Sequence, residues 1–491
     1  MFKNMLILTL FFVTATCCTG SNNIKVFPIE HYSQNADLWL NPKDADYNDN
    51  LLDYGYQQKR LYELKHNYFG TGKNDTSPWS GEYVQSLLKT QDTDNVIADS
   101  ILSTLEQFDN SRQSDKELIK FGANYRPYSS KWLKGIQDNI SVLKFNYIKY
   151  TDSNRAIATI NLQLRALPTN DPAYYSDKIA GEGYPFDNLQ VSAVYAGTPL
   201  YILGTSIDKQ WSLVLAPEYI GWVSSGGVAR VDNQFILQWQ NAAYTNLAAI
   251  KQSNVAVVDE VGQYQFSGYV GMIFPVAEVA NNSVKILIPF KQANGTAGIL
   301  YSKLSNINAA LLPLKASPAN FAAIFKALQR RPYGWGGLGF YNDCSSEMKA
   351  IFTMFGFFMP RNSIGQTFAG KMVDISSLSA SQREQYLIKN ALPLLTLVRI
   401  KGHVLLYIGS YEKKPSGEEF AMTYQQMWGM SPKDRSIRYV IGQSVFFPLL
   451  TKYPEGSDLV SELDNKVFQL VYLNQLPQVP FKQDLYQLLG L

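Results

Sequence analysis

Short strand-like segments separated by turn residues fill the middle of this chain, and they limit its possible folds more than any other feature. In residues 136–240 the apolar runs include Ala156 to Leu162 and Ala193 to Leu203, with Gly-, Pro- and Asp-rich turns between them. Residues 241–312 repeat the pattern, with Asn294-Gly295 as a turn signal. Such a pattern is typical of small antiparallel barrels. We therefore predict a first barrel over residues 136–240 and a second over residues 241–312.

The segments on either side of the predicted barrels carry helical patterns. One apolar stripe in the N-terminal part recurs at helical spacing through Ile97, Ile101, Leu105 and Phe108. Residues 24–135 are therefore predicted to form a mainly helical domain. Residues 313–491 mix helices and strands, and Ser317-Pro318 is a typical helix start. At 491 residues the chain is long enough for several cores, so we predict a multi-domain α+β protein.

Residues 1–23 have the character of an export signal. Lys3 precedes an apolar run from Met5 to Val13, and small residues and Cys17-Cys18 follow. The run is too short to span a bilayer permanently. Cys18 or Cys17 stands where bacterial lipoproteins are acylated, but the flanking residues depart from the usual pattern, so cleavage and lipid anchoring both stay open. A buried N-terminal helix is the alternative. We expect an exported protein of the periplasm or cell envelope, which meets the membrane only through such an anchor.

The cysteine count narrows the chemistry of the folded part. The chain has three cysteines, and Cys344 is the one that lies beyond the export segment. Because a disulfide needs two thiols, a disulfide framework is excluded in the folded part. A cysteine-rich zinc site is excluded as well, since the other available ligands are three histidines. The net charge of +3 gives no argument for a nucleic-acid partner.

Cys344 stands in a setting that favours nucleophilic chemistry. Four glycines lie between Arg331 and Asp343, and a helix is predicted to begin near Cys344 and to stop at Gly356. A helix N-terminus stabilises a thiolate, and glycines would let the backbone approach a substrate closely. A base is needed as well, and His403 opens a predicted strand. Taken alone, Cys344 would be interpreted as a buried thiol and His403 as a structural histidine. Taken together, the two residues favour catalysis.

The order of motifs around these residues resembles that of the NlpC-type cell-wall peptidases, which have a papain-like fold. The matching stretches are Tyr333-Gly-Trp335-Gly336-Gly337, Asp343-Cys344-Ser345, Pro360-Arg361-Asn362-Ser363-Ile364-Gly365-Gln366 and Gly402-His403-Val404. Upstream, Gly183-Tyr184-Pro185-Phe186-Asp187 and Gly221-Trp222-Val223 resemble the first of two bacterial SH3-like domains in the multi-domain branch of that family. The resemblance covers about residues 25–480, and it implies that both barrels are SH3-like and that residues 313–491 form the peptidase domain.

The resemblance also implies roles for individual residues. Cys344 would be the nucleophile, His403 the general base, and Tyr333 a donor to the oxyanion. The family commonly has a second histidine that orients the base, and Gln425 stands at that position here, with Gln426 as the alternative. The implied substrate-binding residues are Asp343, Ser345, Trp335, Arg361, Asn362 and Ser363. Asn362 replaces an acid that binds the substrate amine in some members, so amine recognition is expected to be weaker or shared with the first barrel.

By the same resemblance, the expected reaction is hydrolysis of the γ-D-glutamyl–diamino-acid bond in peptidoglycan stem peptides or muropeptides. The chemistry needs no metal or organic cofactor. Two alternatives stay open. The same dyad could serve an amidase, an acyltransferase or a toxin that acts on host protein, or the protein could bind cell wall without catalysis.

Overall fold

The computed structural model describes residues 24–70, 75–176, 179, 182–413, 417–456, 458–479 and 483–490. The predicted export segment, with Cys17 and Cys18, lies outside these residues. Among the helices in this part of the chain, none is both long and apolar enough to cross a membrane.

The N-terminal part is mostly helical. After a short strand, β1 Ile24–Val26, come helices α1 Ala36–Trp39, α2 Tyr54–Phe69, α3 Gly81–Asp94, α4 Val96–Gln107 and α5 Ser130–Ile140. Side chains cap several of them, as Asp53 caps α2 and Ser129 caps α5. The apolar stripe predicted over residues 97–108 falls on α4 and its C-cap residue and is buried.

These helices share their cores with the other parts of the molecule. Leu64 of α2 belongs to the same apolar cluster as Phe325 in the C-terminal part. Ile97 of α4 belongs to the cluster that contains Trp222 of the first β-domain. A few amphipathic helices enclose too little apolar area by themselves, so they bury their stripes against larger neighbours.

The first β-domain is a seven-stranded antiparallel sheet with strand order β4-β3-β7-β6-β5-β2-β8. Its strands are β2 Arg155–Ala158, β3 Leu162–Arg165, β4 Gln190–Val194, β5 Pro199–Thr205, β6 Trp211–Leu215, β7 Ile220–Ser224 and β8 Val228–Arg230. A long loop between β3 and β4 carries Phe186. A buried Arg165–Asp187 ion pair, with Nη1 2.5 Å from Oδ2, ties this loop to β3.

The second β-domain follows a helix that the turn pattern did not predict, α6 Asn233–Thr245, whose N-cap is Asp232. Its strands are β9 Leu247–Ile250, β10 Val255–Val258, β11 Tyr264–Gly268, β12 Ile273–Ala280, β13 Ser283–Lys291, β14 Ala297–Ser305 and β15 Ala309–Leu311. Five of them form a sheet in the order β14-β13-β12-β9-β15, and β10 and β11 form a hairpin. The buried face of α6, with Trp239, joins the main core.

The C-terminal part places helices against a seven-stranded sheet of order β1-β20-β19-β18-β17-β21-β16. Its elements are α7 Pro318–Leu328, α8 Cys344–Thr353, β16 Lys371–Asp374, α9 Ala380–Asn390, β17 Thr396–Ile400, β18 His403–Lys413, β19 Glu418–Met430, β20 Arg438–Leu449, β21 Phe468–Tyr472 and α10 Leu485–Leu489. The predicted helix starts at Ser317-Pro318 and near Cys344 are confirmed. β1 completes the sheet by pairing in parallel with β20.

Candidate active site

Cys344 is the first residue of α8, at the positive end of the helix. Asp343 is its N-cap: its carboxylate accepts the Ser346 amide at 2.9 Å, and the Ser346 hydroxyl accepts the Asp343 amide at 2.8 Å. This capping box fixes the first turn, and the unpaired amides there favour negative charge on the sulfur. Cys344 is 7% exposed and belongs to the main apolar cluster of the molecule.

His403 opens β18, and its imidazole lies near the Cys344 side chain, whose charge raises the pKa of His403. On its other side, Nε2 lies 2.6 Å from Oε1 of Gln425, a fully buried residue of β19. The Gln425 amide nitrogen donates to a Glu462 carboxylate oxygen at 3.1 Å, which turns its carbonyl oxygen toward the imidazole. An amide oxygen only accepts, so this network assigns the proton to Nε2 and leaves Nδ1 for exchange with the thiol.

Glu462 is a part of this arrangement that the sequence did not reveal. It lies in a short 3₁₀ turn, Glu462–Asp464, and its Oε1 is 3.8 Å from Nε2 of His403. The residue is 8% exposed. Burial raises the pKa of its carboxyl, while the His403 charge and the Gln425 hydrogen bond oppose that rise. A carboxylate here stabilises an imidazolium both directly and through Gln425.

The surroundings of His403 favour its charged form. Burial alone would lower its pKa, but the charge and hydrogen bond of Cys344, the charge of Glu462 and the hydrogen bond to Gln425 raise the pKa to about 9. An imidazolium beside a thiolate is the ion pair that activates a cysteine nucleophile. The four groups therefore line up as Cys344, His403, Gln425 and Glu462.

Aromatic side chains from the first β-domain and the C-terminal part form a wall beside the thiol. Phe186 packs edge-on against Trp335 and Trp428, with ring centroids 5.2 and 5.4 Å away, and lies 6.3 Å from the Tyr333 ring. Burial, and then the charges of Cys344 and Asp343, hold the pKa of Tyr333 well above its usual range. Tyr333 therefore keeps its proton and can donate a hydrogen bond. Among the described residues, Trp428 Nε1 is buried without a hydrogen-bond partner.

The glycine-rich loop before α8 serves a packing role that differs from the predicted one. Gly336 and Gly337 have φ of +58° and +78°, in the left-handed region. A Cβ on Gly336 would lie 2.6 Å from the Gln190 carbonyl oxygen of β4, and the Gln190 side chain donates to the Gly336 carbonyl at 2.9 Å. The close approach that the glycines allow is thus to the first β-domain, and it fixes Trp335 and Tyr333 against that domain.

Asp343 and Arg361 form a buried bidentate ion pair, with Nη2–Oδ2 and Nη1–Oδ1 distances of 2.7 and 3.0 Å. Arg361 also donates to the hydroxyls of Ser345 and Ser192, both at 3.0 Å. Burial alone would raise the pKa of Asp343, but Arg361 and the bonds from Ser346 hold it below its usual range. Both carboxylate oxygens are thus paired, so a substrate ammonium would have to displace a partner from Asp343.

Asn362 and Ser363, which are also predicted to bind substrate, follow Arg361 directly in the chain. Asn362 is exposed and donates to the Tyr219 hydroxyl at 3.3 Å. Asn362 and Ser363 line a cleft of about 270 Å³ with Glu218 and Gln483. Gln426, the alternative third residue, points away from His403: its amide donates to the backbone carbonyls of Arg331 and Pro332 at 3.2 and 3.3 Å.

Beyond the predicted set, the structure adds Glu462, Phe186 and Trp428 to the site. Phe186 stood in a motif that the sequence singled out, and Trp428 lies three residues after Gln425, whereas Glu462 carried no such signal. Within the described ranges, no group of three or more His, Cys, Asp or Glu side chains is arranged to hold a metal ion.

Two sequence families match this chain. Residues 172–224 match the SH3 domain of SH3b1 type, and residues 232–278 match the SH3 domain of SH3b2 type. The first match lies inside the first predicted barrel. The second begins before the predicted boundary at residue 241, because it includes α6. No curated protein matches the chain.

One solved structure resembles most of the chain, and others match it more weakly. An NlpC/P60 endopeptidase from Photobacterium damselae subsp. piscicida has a TM-score of 0.76 and 28% sequence identity, over 92% of this chain and 100% of that one. An NlpC/P60 family protein from Bacillus cereus ATCC 10987 has a TM-score of 0.41 and 15% identity, over 62% of this chain and 98% of that one. The resemblance drawn from the motifs, to NlpC-type proteins with two bacterial SH3 domains, is confirmed.

Proposed function

Because the chain combines two bacterial SH3 domains with the fold of an NlpC/P60 endopeptidase, we propose that it is a cell-wall cysteine peptidase with Cys344 as its nucleophile. The observation that carries the proposal is the line of side chains Cys344, His403 and Gln425, in which Nε2 of His403 lies 2.6 Å from Oε1 of Gln425. The line begins at a helix N-terminus, where a thiolate is favoured. Gln425 takes the place of a histidine that is common in the family.

The proposed reaction passes through a thioester. The Cys344 thiolate attacks the carbonyl carbon of the scissile bond, and the negative charge that develops on the carbonyl oxygen meets the Tyr333 hydroxyl and the Cys344 amide. His403, as imidazolium, gives its Nδ1 proton to the departing amine. The neutral imidazole then takes a proton from a water molecule, which attacks the thioester and releases the acid and the free thiolate. No metal or organic cofactor takes part.

The proposed target is the γ-D-glutamyl–diamino-acid bond of peptidoglycan stem peptides or muropeptides, the usual target of the family that the motifs resemble. The paired state of Asp343 and the amide at Asn362 suggest a site that depends little on a free substrate amine. Such a site would accept stem peptides that are still attached to sugar. In keeping with residues 1–23, we propose that the protein is exported to the periplasm or cell envelope, with Cys18 or Cys17 as a lipid anchor if the segment is of the lipoprotein type.

The decisive experiment is product mass analysis of diaminopimelate-type muropeptides incubated with wild type, Cys344→Ala and the control Ser253→Ala, whose serine lies in the second β-domain. We expect cleavage between D-glutamate and the diamino acid by wild type and the control, and none by Cys344→Ala. Products cut at another amide, or an acyl group passed to an added amine, would point to an amidase or acyltransferase on the same dyad. If wild type gives no product and Cys344 does not react with iodoacetamide near neutral pH, the protein is a non-catalytic wall-binding protein.

A further inference from the structure

Tyrosine rings line a cleft where the N-terminal part meets the β3–β4 loop of the first SH3 domain. The cleft has a volume of about 420 Å³, and its aromatic lining consists of Phe121, Tyr125, Tyr174, Tyr175 and Tyr184. This volume falls within the range of about 300–1,000 Å³ that small-molecule sites occupy. Tyr125 and Tyr184 are 73% and 70% exposed, so their rings are accessible to a ligand.

The walls of the cleft are held in place by buried contacts. The Phe121 amide donates to the Tyr174 carbonyl at 2.7 Å, and the Tyr174 amide donates back at 2.9 Å, so two loops form one bridge. In the first SH3 domain, the Ala173 amide donates to the carboxylate of Asp187 at 2.9 Å, and Arg165 pairs with that carboxylate. The rings therefore lie on a preorganised support, which lowers the entropic cost of binding.

The β3–β4 loop contributes side chains both to the cleft and to the wall of the candidate active site. Tyr184 lines the cleft, and two residues later Phe186 packs against Trp335 and lies 6.3 Å from Tyr333 in ring-centroid distance. A ligand that occupies both places would run from the tyrosine rings past Phe186 to the thiol of Cys344.

We propose that this tyrosine-lined cleft binds the glycan strand of peptidoglycan and so presents the attached stem peptide to Cys344. The inference rests on the proposed function, since it names the part of the substrate that lies beyond the scissile bond. The C–H faces of sugar rings pack on aromatic rings, while their hydroxyls and acetamido groups need hydrogen-bond partners. Tyrosine supplies both kinds of contact.

The chemistry of the lining favours sugar over the stem peptide itself. Stem peptides carry carboxylates, which would call for Lys or Arg beside them. Among the described residues that line the cleft, none carries a formal charge. Burial, and then the charges of Asp187 and Tyr184, raise the pKa of Tyr174 to about 12, so its hydroxyl stays neutral. Tyr125 and Tyr184 are 73% and 70% exposed, so their hydroxyls can reach a ligand.

Binding is tested with glycan strands from which an amidase has removed every stem peptide. The protein is the full chain with Cys344→Ala, and the variants add Tyr125→Ala or Tyr184→Ala to it. Because both rings are exposed, these changes should leave the fold intact. Each lost stacking contact should weaken binding about fivefold. Tyr147→Ala, at a tyrosine that is 80% exposed and outside the cleft, is the matched control. Equal affinity of all variants for the glycan, or no binding to the parent protein, overturns the proposal.

A kinetic comparison separates this proposal from the proposed function. In the protein with an intact Cys344, we expect the ratio of kcat/KM on glycan-linked peptide to kcat/KM on free stem peptide to fall about fivefold for Tyr184→Ala. If neither substrate is cleaved, the proposed function fails while glycan binding still decides the role of the cleft. If both substrates are cleaved and the ratio is unchanged, only the glycan cleft is refuted.

Discussion

Replacing Glu462 by glutamine removes a carboxylate that lies 3.8 Å from Nε2 of His403 and keeps the shape of the side chain. Glutamine also retains an oxygen that can accept from the Gln425 amide, so the orientation of Gln425 is preserved. The change therefore tests charge and not packing. Because Glu462 helps to raise the pKa of His403 to about 9 in the wild type, the variant should have a lower value.

The size of the shift follows from Coulomb's law. At a separation of 3.8 Å and an effective dielectric constant of about 20, the attraction between Glu462 and the imidazolium of His403 is about 4 kcal/mol. This energy corresponds to a change of about three units in the pKa of His403. The exposed side of the imidazole and the hydrogen bond from Gln425 to Glu462 reduce this value. We expect a decrease of at least about one unit, or about 1.4 kcal/mol.

The assay is the pH dependence of kcat/KM on a stem-peptide substrate. The reaction needs the imidazolium to protonate the leaving amine, so activity falls as pH rises through the pKa of His403. The alkaline limb of the pH profile of kcat/KM should therefore have its midpoint at about pH 9 in the wild type and at lower pH in Glu462→Gln. Glu260→Gln, which removes a carboxylate from an exposed pair with Lys285, should leave the limb in place. An unmoved limb in Glu462→Gln, or one displaced to higher pH, would refute the reasoning.

Three further predictions concern the surroundings of Cys344. Arg361→Met leaves the Asp343 charge buried without its partner, so the free energy of unfolding, measured by urea titration, should fall by about 3–5 kcal/mol. Adding Asp343→Asn to the same chain removes the unpaired charge and should restore part of the lost free energy. Gly336→Ala should destabilise the protein by at least about 1–3 kcal/mol, since the new Cβ meets a backbone carbonyl and the residue has a left-handed conformation. Gly262 also has a positive φ but open space around it, so Gly262→Ala should destabilise the protein less; thermal unfolding of both variants gives the comparison. Tyr333→Phe should lower kcat about 100-fold or more with little change in KM if its hydroxyl meets the oxyanion, and a normal kcat would leave the ring with a packing role.

The sequence predicted the parts of the site that are encoded locally. A cap, a helix start and a strand start are each set by a few adjacent residues, which is why Cys344 and His403 could be placed on α8 and β18 before the structure was known. Gln425 was reached through the spacing of a family motif. Its contact with His403 needs β18 and β19 to pair in one register, and the structure has that pairing.

The parts that were missed depend on contacts between distant segments. Glu462 follows β20 in a short turn, and nothing in its neighbourhood relates it to His403. The glycines before α8 gave a correct signal for close backbone approach, but the sequence does not say that Gly336 and Gly337 approach β4. In the same way β1, a strand of three residues, gains its partner β20 from the far end of the chain. Tertiary contacts of this kind outweigh local propensity.

The last helix has a consequence for how the molecule assembles. Leu485 and Leu488 of α10 belong to the apolar cluster that also holds Ile97 of α4 and Trp222 of the first SH3 domain. Every strand of that domain precedes α10 in the chain, so part of the domain's apolar surface is covered by a segment that is synthesised last. Since domains generally fold from the N-terminus during synthesis, we expect the first SH3 domain to reach its full stability only after the C-terminal part has folded.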